Sequence, residues 1–80
     1  MIVTIRLKGY FRNHQPSSDA YLGEGRWDVP EASTVGHMLE WVQLPEPTAG
    51  IFFVNGARAE KDQVLQQGDN LEIFPPIGGG

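Results

Sequence analysis

The sequence predicts an α+β roll in which one mixed sheet of four to five strands packs on one main helix. Three observations carry that expectation. Residues 2–8 alternate apolar and polar with a period of two. Val35, Met38, Leu39 and Val42 fall on one helical stripe. Two strand-and-turn signals follow that stripe, Ile51–Val54 before Asn55-Gly56, and Gly68-Asp69-Asn70 before Leu71.

In chain order, Val3, Ile5 and Leu7 alternate with Thr4, Arg6 and Lys8, which makes Ile2–Lys8 a first strand with one buried face. Residues 9–25 contain Gly9, Asn13, Pro16, Ser17, Ser18, Gly23 and Gly25 without a sustained period, and read as one long loop. Arg26–Val29 is a short second strand that Pro30 ends, because proline has no N–H to give a ladder. Ser33 or Thr34 can cap the helix, and Pro45 and Pro47 require it to stop by Leu44. Gly36 in its first turn weakens it only mildly. Ile51–Val54 is rich in strand formers and meets Asn55-Gly56, a pair that accepts positive φ at both central positions of a tight hairpin. A short strand near Ala57–Ala59 follows, and Gln67-Gly68-Asp69-Asn70 turns the chain into a last strand, Leu71–Phe74.

Eighty residues make one domain with little room for a separate catalytic unit. An apolar fraction of 40% and a net charge of −4 describe a globular chain. Arg6, Lys8, Arg12, Arg26, Arg58 and Lys61 stand singly among acidic residues, whereas a phosphate backbone needs clustered cations. Nucleic acid is therefore not an expected partner, and a basic partner surface suits the chain better. The absence of cysteine excludes disulfides, thiolate metal sites and a thiol nucleophile. Residues 1–6 lack the basic start and apolar run of a signal peptide, and no segment approaches the roughly 20 apolar residues of a membrane span. A cytoplasmic location without membrane contact is expected.

The division expected is a globular domain over 1–74 and a flexible tail over 75–80. Two consecutive prolines, Pro75 and Pro76, end the sheet, since neither offers an N–H and both hold the preceding residue extended. The six residues from Pro75 to Gly80 span about 20 Å when extended, enough to enter a pocket of another protein. Gly78, Gly79 and Gly80 lack Cβ atoms and pass a narrow channel. An activating enzyme can then bring ATP against the Gly80 carboxylate. Adenylation turns a poor acyl donor into a good one, from which sulfur or an amine can displace AMP. A bare glycine run is ordinarily a frayed end, but here it is launched by a strand and two prolines.

On these residues the chain resembles the MoaD/ThiS family of ubiquitin-like sulfur carriers. The likeness covers nearly the whole length: Ile2-Val3-Thr4-Ile5, Ser33-Thr34-Val35-Gly36, Phe53-Val54-Asn55-Gly56 and, most specifically, Gly68-Asp69-Asn70-Leu71-Glu72-Ile73-Phe74-Pro75-Pro76 ending in Gly79-Gly80. The resemblance implies a β-grasp, ubiquitin-like fold and a carrier, not an enzyme. Its Gly80 would be adenylated by a ubiquitin-activating-like enzyme and converted to a thiocarboxylate that donates sulfur. Phe74-Pro75-Pro76 is closer to MoaD, the small subunit of molybdopterin synthase, and the triple glycine also occurs in ThiS of the thiamine pathway. A thiamine-type or tRNA-thiolation carrier, or a modifier forming isopeptide bonds to lysines, are the alternatives. The partners implied are an adenylyltransferase of the ubiquitin-activating type and a sulfur-accepting enzyme such as the large subunit of molybdopterin synthase. No cofactor is expected to bind stably, ATP and Mg²⁺ being used by the partner.

If Leu71 and Ile73 face the core, Glu72 and Phe74 face out; by the same period Phe52 and Val54 face in and Phe53 out. Phe53 and Phe74 then form an aromatic patch at the root of the tail, and with Pro75, Pro76, Ile77, Gly78 and Gly79 they make up the expected partner-binding segment. A register shifted by one residue would bury Phe53 instead. His14 and His37 have no ligand spacing around them and read as solvated or structural. Trp27 and Trp41 read as partial core. Asp19, Glu24, Asp28 and Glu31 read as solvated charges that at most steer a basic partner. No Ser-His-Asp set or carboxylate pair stands out.

Overall fold

Alternation at both ends of the chain brings the first and last strands together at the centre of the sheet. In the computed structural model, which describes residues 1–14, 18–44 and 50–75, β1 (Ile2–Leu7) and β6 (Asn70–Phe74) run parallel, with Thr4 opposite Asn70 and Leu7 opposite Ile73. The other strands are β2 (Tyr21–Gly23), β3 (Arg26–Asp28), β4 (Ile51–Val54) and β5 (Ala57–Ala59). They extend the sheet antiparallel on both sides in the order β2-β3-β1-β6-β4-β5. One helix, α1 (Val35–Val42), covers one face. The arrangement is the β-grasp roll.

Among the described residues the sheet has six strands, not four to five, and the extra strand lies inside the segment read as a loop. Tyr21–Gly23 is too short to show a period, and a register shift against β3 breaks its alternation further. Glu24 and Gly25, at φ 56° and 78°, turn the chain between β2 and β3. A 3₁₀ turn over Gly9–Asn13 occupies the same segment and drives Phe11 into the core at 1% exposure. Residues 15–17 lie outside the described residues.

The helical stripe is buried as its spacing predicts: Val35, Met38, Leu39 and Val42 pack with Val3, Ile5, Phe52, Val54, Leu71 and Ile73 from the inner sheet face. Thr34 caps the helix. Its Oγ1 accepts from the His37 amide (3.2 Å), and His37 Nδ1 accepts from the Thr34 amide (3.0 Å), a reciprocal box in which the ring replaces the usual Glu. At the other end Gln43 adopts a left-handed conformation (φ 55°) and closes the last turn onto Leu39. Pro45 and Pro47 lie outside the described residues.

Two of the sequence signals prove to be one structural device. Asn55 and Gly56 both take positive φ, 53° and 87°, as the hairpin requires. The Asn55 side chain then reaches the other turn: Nδ2 donates to Asp69 Oδ1 (2.9 Å) and Oδ1 accepts from the Asn70 amide (2.9 Å). Asp69 Oδ2 in turn accepts from the Gln66 amide (2.8 Å). The two turns are locked together at the end of β6 remote from the tail. No helix among the described residues is long and apolar enough to cross a membrane.

Candidate functional site

The chain leaves the sheet where β6 ends, at Phe74 and Pro75. Two glycines frame that exit. A Cβ built on Gly9 would fall 2.9 Å from Pro75 Cγ, and one on Gly50 would fall 2.7 Å from the Phe74 carbonyl oxygen. Neither fits, so backbone on the β1 side and on the β4 side closes directly on the last strand residue and the first proline. Gly9 also sits at φ 57°, which lets β1 turn away immediately after the Lys8 amide donates to the Ile73 carbonyl (2.9 Å). The sequence places Gly9 in the loop over residues 9–25 and assigns Gly50 no role. The only signal available was their position next to a strand end without a conventional turn partner.

Phe53 lies opposite Glu72 and Ile51 opposite Phe74, so Phe53 and Phe74 are diagonal neighbours on the face away from the helix. The shifted register that would bury Phe53 does not occur. The two rings meet edge to face, centroids 5.6 Å apart and planes at 78°, and both are half-buried, not fully exposed. Beside them Lys8 Nζ lies 3.4 Å from Glu72 Oε2. The root of the tail thus presents an apolar pair flanked by charge on a rigid central strand. Pro76, Ile77, Gly78, Gly79 and Gly80 lie outside the described residues.

The remaining candidates take structural places. His14 Nε2 sits 2.7 Å from the Val42 carbonyl oxygen, and as the donor it satisfies one of the helix's last free carbonyls. His37 belongs to the helix cap. Among the described residues no group of His, Cys, Asp and Glu can hold a metal ion. Trp27 is fully core at 2% exposure and stacks obliquely on Tyr21, 5.2 Å away. Trp41, one step off the stripe, is partly buried as expected, at 37% exposure, and lines a shallow groove with Pro30 and His37. Asp28 lies 3.7 Å from the N-terminal ammonium.

A family model described as the ThiS family matches residues 17–80. No curated protein matches the chain. Among solved structures, the crystal structure of SAMP1 from Haloferax volcanii superposes with a TM-score of 0.67, covering 100% of both chains at 22% identity, a likeness of fold. The family match takes in the helix, both linked turns, β6 and the glycine tail, over far more than half of the chain. With the β-grasp topology already in place, it follows that the chain belongs to the ThiS family, among the ubiquitin-like carriers of the MoaD/ThiS type.

Proposed function

We propose that this protein is a sulfur carrier whose working group is the Gly80 carboxylate, and that it is a substrate of its partners and not a catalyst. The observation that carries the reading is the framed exit at Gly9, Gly50 and Pro75. It fixes the chain at Pro75, the residue after the central strand β6, with the Phe53–Phe74 pair beside it, and Pro76-Ile77-Gly78-Gly79-Gly80 follow in the sequence. A partner adenylating enzyme of the ubiquitin-activating type supplies ATP and Mg²⁺ and seats on that pair. A carboxylate oxygen of Gly80 attacks the α-phosphorus and pyrophosphate leaves. A hydrosulfide-equivalent sulfur then displaces AMP, leaving a thiocarboxylate in which one oxygen has been replaced by sulfur. Phe74-Pro75-Pro76 favours delivery of that sulfur to molybdopterin, through the large subunit of the synthase.

Intact-mass spectrometry of the chain produced with its adenylating enzyme and a sulfur donor tests the chemistry. The expected result is a gain equal to the exchange of one oxygen for sulfur, absent from a Gly80 deletion. Persistent absence of that species, with the Gly80 deletion still supporting the pathway, would refute the reading. Rescue of a strain lacking the molybdopterin synthase small subunit, but not of one lacking the thiamine carrier, tests the pathway.

A further inference from the structure

Charges that are scattered in the sequence are sorted by the fold. Arg6, Lys8, Arg26 and Arg58 are four of the six Lys and Arg residues, and all four project from the face away from the helix. Their sequence neighbours Ile5, Trp27 and Ala59 are the ones that turn into the core. Pairing carries one row across four strands, Arg6 to Glu72 to Phe53 to Arg58, so that cations flank the aromatic pair at both ends. With strands about 4.8 Å apart, Arg6 and Arg58 stand about 14 Å from one another across this row.

The two strand carboxylates on the same face are already engaged. Glu72 pairs with Lys8 and Asp28 with the N-terminal ammonium. Arg6, Arg26 and Arg58 are exposed and make no ion pair among the described residues. A chain of net charge −4 therefore carries a locally cationic face around its apolar pair, opposite in sign to the molecule as a whole.

We infer that this face docks a protein surface bearing carboxylates around an apolar socket, the carboxylates meeting Arg6 and Arg58 and the socket taking the Phe53 and Phe74 edges. Local charge, not net charge, selects the partner, which reverses the basic partner expected from composition. Identification of that partner as the adenylating enzyme rests on the function proposed above; the sign of its surface does not.

Two probes test it on the full ¹⁵N-labelled chain: a Glu-rich peptide with one central Leu, and the adenylating enzyme itself. The peptide is expected to shift the amides of Arg6, Phe53, Arg58 and Phe74, and to bind more weakly as salt rises. The double variant Arg6→Glu/Arg58→Glu is expected to lose about tenfold or more in affinity for both probes, and to lose the salt dependence. The variant Arg12→Glu/Lys61→Glu, with the same change in net charge elsewhere, is expected to stay within about twofold. Shifts mapping to another face, an equal loss in the control variant, or equal binding of a matching Lys-rich peptide titrated on its own would each overturn the inference. Failure of the sulfur-carrier reading shows separately, as an unchanged Gly80 mass in a chain whose face still binds the acidic peptide.

Discussion

Gly9 and Pro75 approach so closely that a Cβ on Gly9 would lie 2.9 Å from the proline ring. Gly9→Ala therefore carries two costs, a left-handed φ worth about 1–2 kcal/mol for a residue with a side chain and a clash with the first tail residue. Gly68 has a positive φ (85°) but open space around it, so Gly68→Ala carries the first cost alone. Chemical denaturation is expected to place Gly9→Ala about 1 kcal/mol or more below Gly68→Ala. Equal stabilities would mean that Pro75 does not press on Gly9 in solution.

The lock between Asn55 and Asp69 predicts coupling between two turns 14 residues apart. Removal of the Asn55 side chain loses its bonds to Asp69 and to the Asn70 amide and leaves a residue with a Cβ at φ 53°. Asn55→Ala is expected to cost about 1–3 kcal/mol, and Asp69→Ala about 1–2 kcal/mol. The double variant should fall short of their sum by about 0.5 kcal/mol or more. Strict additivity in a double-mutant cycle would show the two turns to be independent.

This lock also shows how far the sequence could be read. Asn55-Gly56 and Gly68-Asp69-Asn70 announced turns by local chemistry, and the stripe from Val35 to Val42 announced the helix by its period. Both kinds of signal sit within a few residues. That the turns hold one another depends on β4 pairing with β6, which no local pattern states. The cationic face was hidden for the same reason: Arg6, Arg26 and Arg58 come to share one sheet face only through the strand order β3-β1-β6-β4-β5. The orientation of Phe53 and Phe74 was legible from alternation, provided the register held. Gly9 and Gly50 were not, because a glycine required by the Pro75 ring or by the Phe74 carbonyl looks like any loop glycine until the strands are assembled.

Residues 9–14 supply a third prediction. Read as loop, they hold Phe11 at 1% exposure and tie His14 to the helix end at Val42. Phe11→Ala is expected to destabilise by about 3–5 kcal/mol, a core-sized loss, since it leaves a cavity beneath the 3₁₀ turn. His14→Ala, which frees a single carbonyl at a half-buried helix end, is expected to cost about 1 kcal/mol. A Phe11→Ala loss below that of His14→Ala would return the segment to the status of a surface loop.

The aromatic pair at the tail root separates docking from stability. Each ring is half-buried on the outer face, and an edge-to-face contact contributes about 0.5–1.5 kcal/mol, so Phe53→Ala or Phe74→Ala leaves a folded chain. Both rings belong to the surface proposed to meet the adenylating enzyme, where buried aromatic anchors ordinarily cost 2 kcal/mol or more, roughly thirtyfold in Kd, when truncated. Titration calorimetry of each variant against that enzyme is expected to show such a loss, while thermal unfolding shifts only modestly. Phe53→Leu keeps apolar area but loses the edge, and should fall between wild type and Phe53→Ala. If both alanine variants bind as tightly as wild type, the enzyme seats elsewhere, and the charged row from Arg6 to Arg58 then has to be tested against other partners of the tail.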